Sequence, residues 1–147
     1  GETFVTRKIT IAATKIVNGL QDILYIGNMD AKRDWGHAKD YVYGMWLMLQ
    51  HGKPDNYVLS SGHTLTVRHF IEKCFNYVKK KIIWKGNGLN EIGIDEDGIT
   101  RIKINKKYYR PSEVDILLGD SSKAEKILKL KRNFDTIDKI IIDMFDK

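Results

Sequence analysis

The stretch "YVLSSGHTLTVRHFIEKCF" (Tyr57–Phe75) joins two periodicities. Its first part, Tyr57–Gly62, is short, apolar and closed by glycine, which predicts a strand. Its second part places Val67, Phe70, Ile71, Cys74 and Phe75, with Val78 beyond, on the spacing of one helix face, and Thr66 stands where an N-cap belongs. A strand running straight into a helix reads as a unit of a parallel sheet.

The pattern repeats outward. Upstream, helical stripes run through Val5, Ile9, Ala12, Ala13, Ile16 and Leu20, and through Ala38, Val42, Met45, Trp46 and Leu49; Gly52 and Pro54 stop the second. Downstream, Asp120 is placed to cap a short helix carrying Ala124, Ile127 and Leu128. Asp135 is placed to cap a last one carrying Ile137, Ile140, Ile141 and Met144. Further strands are predicted at Leu24–Gly27, Lys81–Gly86 and Thr100–Asn105, the last with Ile102 and Ile104 alternating against Arg101 and Lys103. The segment Gly86–Gly98 reads as a loop. Its Asp95, Glu96 and Asp97 lack the ligand spacing of a calcium loop and read as a solvated acidic turn. Helices alternating with strands predict an α/β fold.

A chain of 147 residues, 42% hydrophobic and 30% charged, suits one domain or part of a larger one. No apolar run approaches the roughly 20 residues of a membrane span, and no secretory signal is visible, so a soluble protein with no membrane partner is expected. The first residue is Gly1, in a segment that reads as a helix entrance, which suggests a chain cut from something longer. Cys74 is the only cysteine; its apolar helical position predicts a buried thiol and fits a reducing compartment. The net charge of +6 permits nucleic acid, acidic lipid or phosphorylated small molecules and selects none of them.

No Gly-x-Gly-x-x-Gly, Walker A loop or serine nucleophile elbow is present, and the four histidines do not stand at zinc-ligand spacing. The residues therefore predict no catalytic apparatus and no metal site. Dispersed anion chemistry remains. "NMDAKRDWGHAKDYVYGMW" (Asn28–Trp46) crowds Lys32, Arg33, Asp34, Trp35 and His37 before a helix, as a solvated helix entrance or an anion-binding corner. In "YYRPSEVD" (Tyr108–Asp115), Pro111 pushes Arg110 towards extended backbone, and Glu113 follows. Arginine takes phosphate oxygens and glutamate accepts from sugar hydroxyls. The plain alternative, an Arg110–Glu113 surface ion pair, is the one spacing alone favours. Lys8, on residues alone, reads as a solvated helix lysine.

The segments "GETFVTRKIT", "YIGNMDAKRDWGHAKDYVYGMWLMLQ", "YVLSSGHTLTVRHFIEK" and "RPSEVDILLGDSSKA" resemble the C-terminal half of the GDP-mannose 4,6-dehydratases, which belong to the extended short-chain dehydrogenase/reductases. "RDWGHAKDYV" is the most specific run. Tyr43 and Gly44 depart from the family's usual Glu-Ala, and "KLKRNF" (Lys129–Phe134) lacks its Trp-Lys-Pro turn.

The resemblance implies the C-terminal part of a Rossmann-like fold. Residues 1–147 would form a substrate-binding portion, with about 38–78 packing back on an upstream NADP-binding domain. It implies a cytoplasmic lyase of GDP-fucose and deoxyhexose biosynthesis, a homodimer or homotetramer, that converts GDP-mannose to GDP-4-keto-6-deoxymannose. In the family, NADP takes hydride from C4, water leaves across C5 and C6, and the hydride returns to C6. The cofactor loop and the catalytic Thr, Glu and Tyr–Lys pair lie upstream of Gly1, so this chain would be inactive alone. By the same match Arg33 contacts the diphosphate, Arg110 and Glu113 grip diphosphate and ribose, and Val5 and Lys8 lie near the nucleobase. Asp34, Trp35 and His37 would brace the loop, Trp35 by packing. The alternatives are a related sugar-nucleotide epimerase, reductase or dehydratase, and a stand-alone basic polyanion-binding module. Against the module, the basic residues scatter and are not interleaved with aromatics, so no nucleic-acid partner is expected.

Overall fold

The computed structural model describes residues 4–147. Helix α1 (Val5–Val17) leads to β1 (Leu24–Ile26), β2 (Lys32–Asp34) and α2 (Ala38–Gln50). Strand β3 (Thr64–Thr66) runs straight into α3 (Val67–Tyr77). A meander of β4 (Ile83–Lys85), β5 (Ile92–Ile94) and β6 (Thr100–Ile104) follows, then β7 (Ile116–Leu117), α4 (Ser122–Ile127) and α5 (Ile137–Phe145). The strands form two mixed sheets, ordered β1-β6-β5-β4 and β3-β2-β7. In the first, β1 pairs parallel with β6, in register Leu24 to Ile102, and the rest is antiparallel. In the second, β2 pairs antiparallel with β3 and parallel with β7.

One core holds the larger layer together. Phe70, Ile71, Cys74 and Phe75 of α3 are fully buried with Ile9, Ala12, Ala13 and Ile16 of α1, Leu24 and Ile102 of the sheet, and Ile141 of α5. Thr66 caps α3 as expected, its hydroxyl accepting from the His69 N–H. The Trp35 ring stacks on Phe70 at 4.4 Å and its indole N–H donates to the Leu65 carbonyl, which ties the entrance of α2 to this core. A smaller cluster of Ala124, Leu128 and Leu130 packs with Leu47, Met48, Tyr57 and Leu59. Among the described residues no helix is long and apolar enough to cross a membrane.

Four expectations are corrected. Tyr57–Gly62 has no ladder partner among the described residues. Side chains serve its backbone instead: Asp34 accepts from the Ser61 and Gly62 N–H groups, and Arg132 donates to the Ser60 carbonyl. The supposed loop Gly86–Gly98 contains β5. Its Asp95 is buried rather than solvated, accepting from the Asp97 and Ile99 N–H groups and from Arg101 Nε at 2.8 Å. Burial raises the Asp95 pKa, but the Arg101 and backbone bonds outweigh it and hold the carboxyl below its ordinary range. The predicted stripe of α2 faces outward: Ala38, Val42, Met45, Trp46 and Leu49 are exposed, and the helix buries Asp40 and Gly44. Lastly, Ser121 and Thr136, not Asp120 and Asp135, occupy the N-cap positions of α4 and α5.

Candidate functional site

The site is built where the end of β1 meets the segment after β6. Gly27 makes that approach: a Cβ there would lie 2.0 Å from the Tyr108 carbonyl oxygen, so only glycine lets the chains meet. Asn28 then pins Arg110. Its amide Nδ2 donates to the Arg110 carbonyl at 2.9 Å, and its Oδ1 accepts from the Arg110 N–H at 2.8 Å. The Tyr108 N–H donates to the Asn105 carbonyl, closing the turn that presents both side chains.

Arg33 comes to the same place from β2. Its Nη2 donates to Glu113 Oε1 at 2.6 Å, and its Nη1 donates to the Val114 and Lys32 carbonyls at 2.7 and 2.8 Å. The ion pair here is therefore Arg33–Glu113, not Arg110–Glu113. The reason is geometric: Arg33 and Glu113 are brought together by the β2–β7 pairing, which aligns Lys32 with Ile116 and Arg33 with Leu117. Three of the five guanidinium N–H groups of Arg33 are engaged, which leaves two for a ligand. The Arg110 guanidinium has no hydrogen-bond or ion-pair partner among the described residues.

From α1 come Val5 and Lys8. The Lys8 ammonium sits over the Tyr108 ring, 3.5 Å from its centroid. Burial, then the nearby Lys107 charge, lowers the Lys8 pKa. Val5, Lys8, Arg33, Arg110 and Glu113 all line one cleft of about 350 Å³, together with Phe4, Gly27, Asn28 and Tyr108. The structure thus brings together all five residues singled out in the sequence, from three distant segments. Sequence reasoning missed Asn28 and Tyr108. Asn28 carried a signal, an amide directly after a strand-ending glycine; Tyr108 carried none beyond its nearness to Arg110.

The crowded entrance to α2 now has a physical account. Arg33 faces the cleft, and the other side chains hold it there. Asp34 accepts from Ser61 and Gly62, and Trp35 is packed in the core. His37 caps α2, its Nδ1 accepting from the Lys39 N–H, so its Nε2 carries the proton and donates to Asp143 at 2.8 Å. Its ring also stacks on Phe134 at 3.7 Å. The cleft carries three cations against one carboxylate, an arrangement that suits an anionic ligand bearing hydroxyls.

The sequence family described as GDP-mannose 4,6 dehydratase matches residues 1–144. The GDP-mannose 4,6 dehydratase of Drosophila melanogaster is 50% identical over 129 residues, covering 87% of this chain and 33% of that protein. The enzyme of Sinorhizobium fredii is 52% identical over 129 residues, covering 87% and 37%. The human protein is 48% identical over 132 residues, covering 89% and 36%. The chain spans about a third of the length of these curated relatives. Among solved structures, RMD from Pseudomonas aeruginosa complexed with NADPH superposes with a TM-score of 0.72 at 18% identity, over 99% of this chain and 44% of that one. The dTDP-glucose 4,6-dehydratase of Bacillus anthracis in complex with NAD superposes at 0.67 and 13%, over 99% and 40%. At such identities these two likenesses speak for the fold alone, part of a Rossmann-like architecture.

Proposed function

Because this chain belongs to the GDP-mannose 4,6-dehydratase family, we propose that it is the nucleotide-sugar-holding part of a longer cytoplasmic lyase. That enzyme, a homodimer or homotetramer, converts GDP-mannose to GDP-4-keto-6-deoxymannose with NADP. One observation carries the reading: the five residues that match the family's substrate contacts, from three separate segments, line a single cleft.

The roles follow from the bonds already made. Arg110, whose guanidinium has no partner among the described residues, takes the diphosphate oxygens. Arg33 adds its two remaining N–H groups while its charge is shared with Glu113. Glu113, held by Arg33, keeps an oxygen for the ribose hydroxyls. Val5 and Lys8 flank the base. Gripping the non-reacting nucleotide in this way fixes where the hexose projects, and remote binding energy of that kind supports a chemical step elsewhere.

In this reading the nicotinamide cofactor is held mainly by the upstream half. No glycine-rich turn joins a strand to a helix among the described residues, and the only helix entered straight from a strand, α3, is capped by Thr66. No hydride or proton step is assigned to this chain. Residues about 38–78 pack on the cofactor domain in this reading, supported by the outward apolar stripe of α2.

Calorimetry on the full-length protein tests the reading. GDP-mannose should bind, UDP-glucose should bind far more weakly, and NADP-loaded enzyme should release a product lighter by one water. Equal affinity for both sugar nucleotides, or no dehydration, would reject it. The 147-residue chain alone should show no turnover.

A further inference from the structure

We infer that Asn28 is the positioning residue for the anion end of the cleft: its side-chain amide fixes where Arg110 starts, and so whether the Arg110 guanidinium reaches the diphosphate; this rests on the reading of the cleft as a nucleotide-sugar site. The need for such a residue follows from the path of the chain. β1 and β6 pair only as far as Ile26 and Ile104, with one further bond from the Asn105 N–H to the Ile26 carbonyl at 2.9 Å. Beyond that bond the downstream chain turns, the Tyr108 N–H donating back to the Asn105 carbonyl. The ladder is therefore lost before Arg110 is reached. Arg110 is exposed, and the next residue, Pro111, has no N–H to offer a neighbour.

Asn28 replaces the lost ladder with a side chain. Its Oδ1 accepts from the Arg110 N–H at 2.8 Å and its Nδ2 donates to the Arg110 carbonyl at 2.9 Å, so one planar amide serves both backbone groups of one residue. Two such bonds fix the tilt of the Arg110 backbone as well as its distance, where a single bond leaves it free to turn. Other side chains of similar size do not supply the pair. At neutral pH an aspartate has no donor for the carbonyl, a serine hydroxyl is too short to span both groups, and a glutamine is longer by a methylene. The Arg110 carbonyl also accepts from the Glu113 N–H at 3.2 Å, so the turn that carries Glu113 starts from the same point. Arg33 holds that turn further on, donating to Glu113 and to the Val114 carbonyl. Arg33 thus clamps the turn and faces the ligand, whereas Asn28 clamps it and leaves the binding to Arg110.

The test is calorimetric binding of GDP-mannose to the full-length protein, in the parent, Asn28→Ala, Arg110→Ala and the double variant. Asn28→Ala should bind about tenfold more weakly, the worth of two neutral hydrogen bonds. The double variant should bind within about twofold of Arg110→Ala, because Asn28 acts through Arg110. Asn28→Asp adds a pH profile. At pH near 7.5 its carboxylate has no donor for the Arg110 carbonyl, and affinity should fall as in Asn28→Ala or further. As the pH drops towards the ordinary carboxyl range near 4, the added proton supplies a donor again, so affinity should climb back towards the parent measured at the same pH. Asn28→Ala has no carboxyl to titrate and should show no such rise. Parent-like binding by Asn28→Ala overturns the positioning role and leaves the cleft assignment intact. Losses that multiply in the double variant overturn it too, by showing Asn28 acting independently of Arg110, as does an Asn28→Asp profile that runs parallel to the parent's. If Asn28→Ala does not fold, the Asn28→Asp profile decides alone. Failure of the parent to bind GDP-mannose overturns the positioning role together with the reading it rests on.

Discussion

Among the described residues the Arg110 guanidinium has no partner that Arg110→Ala would leave unsatisfied, whereas Arg33 holds two carbonyls and a carboxylate. Arg110→Ala in the full-length protein should therefore weaken GDP-mannose binding by about 1.5–3 kcal/mol, the usual worth of a charged hydrogen bond, and leave the melting temperature in place. Arg33→Ala should cost affinity and also about 1–3 kcal/mol of stability, read by denaturant unfolding without ligand. Loss of stability by Arg110→Ala, or none by Arg33→Ala, would reverse the assignment. The two arginines look alike in the sequence because a motif records residue types, not which neighbour a strand pairing delivers; the β2–β7 ladder that sets Arg33 beside Glu113 is two residues long and has no periodicity to read. Cys74 is the opposite case, legible because it sits on the cleanest helical stripe. Burial pushes its thiol up to about 12, so at pH 8 it stays protonated. Ellman's reagent should find no reactive thiol in the native protein from this residue and a full equivalent after unfolding.

α1, α3 and α5 are held by stripes that the sequence displays: the buried residues of α3 and α5 are ones those stripes name, whereas α1 buries Ile9, Ala12, Ala13 and Ile16 of its stripe and Thr10 besides, with Val5 and Leu20 exposed. α2 inverts its stripe because its fixed points are polar. Asp40 accepts from the Asn133 and Phe134 N–H groups, and Gly44 lets the Leu59 side chain come within 2.9 Å of where a Cβ would be. Hydropathy cannot register either. Removing the Asp40 carboxylate strands two backbone donors, so Asp40→Ala should destabilise the protein by about 2–3 kcal/mol, more than Asp40→Asn, in urea unfolding. The far end of this link is pH-sensitive. Lys147 first, then His37, hold Asp143 down at about 2, from 3.8. Because the folded value is the lower one, the contribution is complete above about pH 4 and is lost as pH falls towards 2. Asp143→Asn should flatten the acid limb of a stability–pH curve in that window and leave its neutral plateau the same shape. An acid limb identical in both proteins would remove the His37–Asp143 contact from the account of how α2 and α5 are joined.

At the scale of the whole molecule, the outward face of α2 is the feature a self-contained domain would not carry. Val42, Met45, Trp46 and Leu49 are 62%, 54%, 52% and 81% exposed, and the Tyr43 and Trp46 rings stack on each other at 5.9 Å instead of on a core. Single exposed apolar residues are ordinary; a contiguous helix face of them supports the proposal that this surface is covered in the longer protein. The curated relatives are about two and a half times as long, and the proposed packing on the cofactor domain names a cover. The isolated 147-residue chain should then self-associate at micromolar concentration in sedimentation experiments, and Met45→Gln with Trp46→Gln should return it to monomer. In the full-length protein the same double substitution should do the reverse, lowering the melting temperature by several degrees, because it buries two amides where apolar surface was covered. Trp46 reports the difference directly: its emission should lie to the red in the isolated chain and to the blue in the full-length protein, while Trp35, buried in both, stays fixed. A monomeric isolated chain whose Trp46 emission matches that of the full-length protein would show that this face is left open to water, and the packing of residues 38–78 on an upstream domain would have to be abandoned.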